Sequence, residues 1–319
     1  MKRAYPLTPV GTGKTAPKGD FPRFDRRRVE QSRNVRHHTP MSSIHRVGVF
    51  VDSNNISMNG GKGMRYEVLR RFAERGGNEC VRLNAYVAYD AERAKSDSAF
   101  RQGSQNFHAI LRDFGYKVIE KHVKWYTDET GSRYGKANVD LDLAVDMLMQ
   151  GQNLERIVLA TGDGDFVRVV RALQNQGCRV EVIAFENISS DLRREADLFL
   201  SGYLIPNLLP IENTRNGTRW GATGSRVRGV CYHHGSGFGF LRFLKQLSPM
   251  LWKTDTREPD SPYGSAFFHD SQLPGTVSYD ELPSRELIFE FTVQQSQEEK
   301  DKLVAEDLEL IAPRREPRD

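Results

Sequence analysis

Four apolar residues, Ile157, Val158, Leu159 and Ala160, break off into Thr161-Gly162-Asp163-Gly164-Asp165-Phe166, and a helical pattern follows over 167–176. A short apolar run bounded by a glycine turn reads as a buried strand, and a helix directly after it points to an α/β sheet. The turn places two carboxylates where the chain leaves that strand. Asp side chains held so close repel one another, and a purely structural turn has little reason to keep the repulsion unless a divalent cation neutralises it. A metal site is the first hypothesis this segment raises.

A second strand end points the same way. Arg46-Val47-Gly48-Val49-Phe50-Val51 is another buried-strand run, and it ends on Asp52-Ser53-Asn54-Asn55. Between the two, Lys136-Ala137-Asn138-Val139-Asp140 opens a helix over 141–150, with Asn138 placed as its N-cap. In an open parallel sheet, ligands gather outside the carboxyl ends of the strands. Asp52 and Asp163 therefore belong at one edge, and Asp140 can join them from a helix start, where negative charge is well tolerated.

These segments carry a family resemblance. Val49-Phe50-Val51-Asp52-x-x-Asn55, then Lys136-x-x-Val139-Asp140-x-x-Leu143-Ala144-x-Asp146, then Thr161-Gly162-Asp163-Gly164-Asp165-Phe166 resemble, in order, the three signature blocks of NYN domains, in particular the bacterial LabA-like branch related to PIN nucleases. The resemblance spans roughly residues 45 to 205. It implies an α/β fold with a PIN-like parallel sheet sandwiched by helices, an acidic cluster that binds Mg²⁺ or Mn²⁺, and, in active members, cleavage of RNA. Carried over position by position, the metal set is Asp52, Asp140, Asp163 and Asp165. Asn55 joins them as a catalytic candidate whose amide orients a water or a phosphate oxygen. Lys136 stands at a motif position and reads either as a phosphate contact or as a charge flanking the helix. Asp142 and Asp146 share a helix face that points to the site or to solvent. Ions held by such a set lower the pKa of a water and neutralise the phosphate under in-line attack.

Charge is unevenly spread. Residues 1–46 hold eleven Lys and Arg against three acidic residues in a chain whose net charge is only +4. This arm, assigned to 1–45, is rich in Pro, Gly, Ser and Thr without periodicity and is expected to be disordered, its Arg26-Arg27-Arg28 run available to phosphates or serving as a solubilising tail. No apolar run approaches a membrane span. Three separated cysteines, Cys80, Cys178 and Cys231, offer neither a disulfide framework nor a zinc knuckle and suit a reducing cytoplasm.

Strand and helix patterns alternate through 46–210, the expected NYN domain. Gly164 is expected to supply a positive backbone torsion in the turn after 160. The segment 121–135 reads as polar and irregular, yet it mixes cations with flat rings, Lys124 and Trp125 among them. That mixture suits unpaired nucleic acid, held by stacking and phosphate contact, and the other reading of the segment is an ordinary surface loop.

After a polar, glycine-rich linker over 211–224, the stretches containing Gly237-Phe238-Gly239-Phe240 and Phe267-Phe268-His269 resemble the two RNA-binding segments of cold-shock domains, small all-β barrels of OB type. The resemblance implies a barrel over 225–312, followed by a tail at 313–319. Alternation puts Phe238 and Phe240 on one side, and Phe267 and His269 likewise on the partner strand, a stacking platform for single-stranded RNA. The family's tryptophan position falls on Cys231 or, with a one-residue shift of the alignment, beside it; Asp270 replaces a ring, and about twenty residues over 245–264 are inserted. The remaining strands are placed over 285–293 and 303–311.

The reading is a metal-dependent ribonuclease acting on single-stranded RNA, with a second RNA-binding barrel. One alternative is a noncatalytic RNA-binding regulator that keeps the nuclease fold. A phosphatase or nucleotide hydrolase is another, though it gives the barrel no role. DNA stays open as substrate, since stacking and metal chemistry do not read a 2′-hydroxyl. The resemblance leaves room for a homodimer without marking an interface.

Overall fold

The computed structural model describes residues 44–128, 130–211, 218–297, 299 and 302–313. The basic arm before Ile44, the middle of the expected linker (212–217), the tail from 314 and the side chain of Lys136 lie outside the described residues.

The N-terminal part runs β1 (Arg46–Asp52), α1 (Ser53–Ile56), α2 (Tyr66–Ala73), β2 (Glu79–Tyr89), α3 (Ala91–Ser96), α4 (Ser98–Asp113), β3 (Lys117–His122), β4 (Lys124–Thr127), β5 (Arg133–Lys136), α5 (Val139–Gly151), β6 (Arg156–Ala160), α6 (Val167–Asn175), β7 (Arg179–Ala184), α7 (Ser190–Glu195) and β8 (Leu198–Ser201). Six strands form one parallel sheet in the order β3-β2-β1-β6-β7-β8. The apolar runs of β1 and β6 are buried throughout because helices cover both faces. Val47, Val49 and Val51 pack with Val68, Leu69 and Phe72 of α2. Phe50 faces the other way, toward Leu143 and Met147 of α5 and Val170 and Leu173 of α6.

Three local expectations change. The segment expected to be irregular after β3 instead forms a hairpin, with Trp125 opposite Gly135 and Tyr126 opposite Tyr134. Asn138 occupies the N-cap of α5 without a side-chain capping bond. Gly164 has no positive φ; what requires glycine there is proximity, since a Cβ would meet Ser189 Oγ at 2.7 Å.

The C-terminal strands, β9 (Arg226–Gly235), β10 (Phe238–Leu244), β11 (Tyr263–His269), β12 (Ile288–Gln295) and β13 (Leu303–Ala312), close a barrel in the order β10-β11-β13-β12-β9. β11 and β13 run parallel and the other pairs antiparallel. Val227, Cys231, Leu241, Phe243, Phe268, Phe289 and Phe291 fill it. Along β10 the alternation sends Leu241 and Phe243 inward and leaves Phe238 and Phe240 outside.

On β12 the outer residues Ile288 and Glu290 are buried as well. The reason is packing: Val230, Leu244, Leu251, Ile288 and Ala312 belong to the same apolar cluster as Tyr203, Ile205 and Leu208. Arg228 reaches across, donating to the carbonyls of Leu209 (3.0 Å) and Pro210 (3.2 Å) while its Nε holds Glu290 at 2.8 Å. The inserted segment contributes Leu251, whose carbonyl accepts from the Tyr263 hydroxyl at 2.8 Å. The described residues from Ile44 onward thus form one compact unit.

Candidate functional site

Because β1 and β6 are neighbours and parallel, their C-terminal ends bring Asp52 and the Asp163 turn to the same edge. Asp52 is the last residue of β1, only 4% exposed, and its Oδ1 accepts the Asn55 backbone N–H at 3.0 Å. Burial pushes its pKa up to about 6; the negative charges of Asp140 and Asp163 push the same way, against the Asn55 N–H. The structure therefore places these three predicted carboxylates in one electrostatic neighbourhood. Among the described residues, no three His, Cys, Asp or Glu side chains close around a single point.

The two consecutive amides after Asp52 tie β1 to both neighbours. Asn54 Oδ1 accepts the N–H of Ala88 on β2 at 2.8 Å, and Asn55 Oδ1 accepts the N–H of Gly162 after β6 at 2.9 Å. The Asn55 oxygen is thus committed to the backbone. Asn54 escaped the sequence reading, although two amides directly after a buried strand were a visible signal. Asp163 is half-buried, and its Oδ1 accepts the Asp165 N–H at 2.9 Å. Its own N–H donates to the buried Thr161 Oγ1 at 3.3 Å. Asp165 is exposed at the rim.

On α5, Asp140 lies in the first turn and is exposed. The other two acidic residues of α5 share a different face and are engaged elsewhere. Asp142 pairs with Lys121 at 2.6 Å, and Asp146 accepts from the buried Tyr86 hydroxyl at 2.7 Å. Asp146 is a mid-helix acceptor, neither a cap nor a member of the cluster around Asp52. The backbone of Lys136 ends β5 opposite Lys124. Lys124 is exposed; Trp125, 37% exposed, donates from Nε1 to Asp90 at 3.4 Å.

On the barrel, Phe238, Phe240 and Phe267 form one outward group, with ring centroids 5.7 to 6.0 Å apart. His269 is exposed beside them, its Nδ1 accepting the Ser271 N–H. On β9 the alternation that buries Val227 also makes Cys231 interior and turns Tyr232 outward, 6.4 Å from Phe240, at the point where the β9–β10 register slips. Tyr232 thus adds a ring to this outward group one residue after Cys231. Asp270 does not stand free against a phosphate; His234 holds it at 3.0 Å. A separate cleft of about 1230 Å³ lies at the seam of the two parts. Its Arg226 and Arg228 are already paired with Glu290 and Glu309, and none of the site carboxylates lines it.

Among known proteins, the chain is 31% identical over 162 residues to the low amplitude and bright protein LabA of Synechococcus elongatus, an overlap of 49% of this chain and 82% of that protein. Two solved structures show distant likeness. A protein of unknown function from Vibrio parahaemolyticus matches at 23% identity over 50% of this chain and 94% of that one, with a TM-score of 0.40. Phosphofructokinase-2 from Escherichia coli matches at 18% identity over 44% of this chain and 47% of that one, with a TM-score of 0.26. The profile of the NYN domain matches residues 46–208, which hold the whole parallel sheet and the acidic edge. By that match this chain belongs to the NYN domain family.

Proposed function

We propose that this protein is a metal-dependent ribonuclease that hydrolyses phosphodiester bonds of single-stranded RNA, aided by its barrel. One observation carries the reading: Asp52, buried at a parallel strand end, is electrostatically coupled to both Asp140 and Asp163. Such an arrangement is destabilising unless something positive serves it, and an all-oxygen donor set suits a hard cation such as Mg²⁺ or Mn²⁺. Asp52, Asp140 and Asp163 would hold the ion, with Asp165 at the rim. When bound, it would supply charge neutralisation on the phosphate and acidify water.

The protein's own residues do the positioning. Asn55 fixes the spacing of the two strand ends through Gly162. Thr161 and the Asp165 N–H orient the Asp163 turn. Lys136 and Lys124, near the start of α5, favour a phosphate backbone approaching that edge, and Trp125 belongs to the same hairpin. The barrel's outward rings, Phe238, Phe240 and Phe267 with His269, suit unpaired bases in the manner of a cold-shock domain. Rigid attachment to the sheet raises the local concentration of RNA at the acidic edge. Three free cysteines accord with action in a reducing cytoplasm.

The outward aromatic face by itself supports a second reading, a binding regulator without cleavage. Incubating the purified protein with end-labelled single-stranded RNA, in Mn²⁺, Mg²⁺ or chelator and beside a matched DNA strand, separates the two. Metal-dependent fragments from RNA are expected. Tight binding without fragments under either metal would favour the regulator.

A further inference from the structure

We infer that the β4–β5 hairpin has one structural and one nucleotide-binding face, and that the stacked pair Tyr126–Tyr134, with Lys124 beside it, takes an unpaired RNA base and its phosphate next to the acidic edge. This deepens the ribonuclease reading and rests on it for the identity of the strand.

The alternation of an extended hairpin divides its side chains in two. Trp125, Thr127 and Arg133 belong to one face, and Trp125 and Arg133 are engaged with the start of α3. The Trp125 indole donates to Asp90, Arg133 lies over the Trp125 ring at 5.0 Å, and the same guanidinium pairs with Glu92 at 2.6 Å. Asp90 and Glu92 begin α3, so these contacts fasten the hairpin to the sheet edge where β2 ends. Gly135 is part of the fastening, because a Cβ there would meet Val123 Cγ1 at 2.7 Å.

Tyr126, Tyr134 and Lys124 belong to the other face. The two tyrosines are direct cross-strand partners, stacked with centroids 5.8 Å apart and planes 26° from parallel. They are 46% and 52% exposed, far more open than rings that fill a core. Lys124 is exposed beside them, and its register partner is Lys136. Two rings already stacked offer an outer π-face that a third flat ring extends, and a neighbouring cation matches the phosphate attached to it. The hairpin also lies close to the carboxylates along the chain: β5 ends at Lys136, and Asp140 follows within the first turn of α5. A base held on this pair sets its strand beside the carboxylates.

The test uses the full chain in chelator, so that binding is read apart from cutting, with a short fluorescent single-stranded RNA and the same backbone lacking bases as probes. Wild type is expected to prefer the base-bearing strand. Tyr126→Ile with Tyr134→Ile, which keeps strand propensity, should weaken that binding by roughly five- to one-hundred-fold and erase the preference, in line with the loss of one stacked base. Tyr126→Phe with Tyr134→Phe should bind as wild type. Because the barrel also meets RNA, a 4-thiouridine photocrosslink mapped by mass spectrometry provides the local readout, expected at Tyr126 or Tyr134. Unchanged affinity in the isoleucine pair, with no crosslink on the hairpin, would overturn the inference even if metal-dependent cleavage is present. Loss of binding in that pair with no cleavage under any metal would uphold the hairpin and sink the nuclease instead.

Discussion

Asp52 must carry its charge in a place that resists it. Its pKa stands at about 6 in the folded chain against 3.8 for an ordinary aspartate, so between those values the folded state holds a proton that the unfolded state has lost. The contribution of Asp52 to stability is therefore fullest below pH 4, falls as pH rises through 4 to 6, and stays lower above. The loss is about 3 kcal/mol at roughly 1.4 kcal/mol per unit. Asp52→Asn removes the charge and keeps an oxygen for the Asn55 N–H. Urea melts at pH 7.5 without divalent ions should find this variant more stable than wild type by about 1–3 kcal/mol, the gap closing near pH 4. A variant less stable at pH 7.5 would contradict the buried-charge account. Asn55 makes the opposite prediction. Asn55→Ala strips the acceptor from the buried Gly162 N–H and should cost about 1–3 kcal/mol in the same melts. Asp52 and Asp163 were legible in the sequence because Asp residues just after apolar runs stand out, and Asp140 through its place at a helix start and in the family motif. The committed oxygen of Asn55 and the Tyr86–Asp146 bond were not, because each depends on which strand lies next door, and strand order is not a local property.

At the scale of elements, the β6 turn depends on α7. Ser189 caps α7 through the Leu192 N–H, donates its own N–H to the Gly162 carbonyl at 2.9 Å, and stands where a Gly164 Cβ would have to go. Gly164→Ala should therefore displace the Asp163 turn, costing about 1–3 kcal/mol as overpacking does. Ser189→Gly should restore part of that loss, and a double-mutant cycle by thermal melting measures the coupling. Purely additive effects would mean the two do not meet. The sequence marked this glycine, but for a torsion rather than for a neighbour. A need for space comes from an element twenty-five residues away, whereas a need for positive φ is local. The same limit explains the hairpin: β4 and β5 are four residues each, too short for periodicity to mark, and their pairing rests on cross-strand partners such as Tyr126–Tyr134 and on contacts with α3. The longer barrel strands were legible within a few residues, since Leu241 and Phe243 alternate with Phe240 and Arg242. The burial of Ile288 and Glu290 was hidden, because it comes from packing against the other half of the chain.

For the whole molecule, the shared cluster of Leu244, Leu251 and Ile288 with Ile205 and Leu208 makes independent melting of sheet and barrel unfavourable. Calorimetry should record one cooperative transition for both parts. Arg228→Ala, which leaves Glu290 with Arg226 alone and frees two carbonyls on the seam, should lower stability by about 3–5 kcal/mol. Two resolved transitions in wild type would show that the parts are merely tethered. Rigidity matters because the aromatic face and the acidic edge then hold one fixed relation, and that edge is the centre of the account. Its three carboxylates come from a strand end, a helix start and a turn, and the claim is that they work as one unit. Residues of one unit lose function non-additively. Single-turnover RNA cleavage in Mn²⁺ should therefore be measured for Asp52→Asn, Asp140→Asn and Asp163→Asn singly and for the three combined. Each single change is expected to abolish most of the cleavage and the triple to be little worse. Single variants that retain most of the rate, or losses that simply multiply in the triple, would contradict a common catalytic centre.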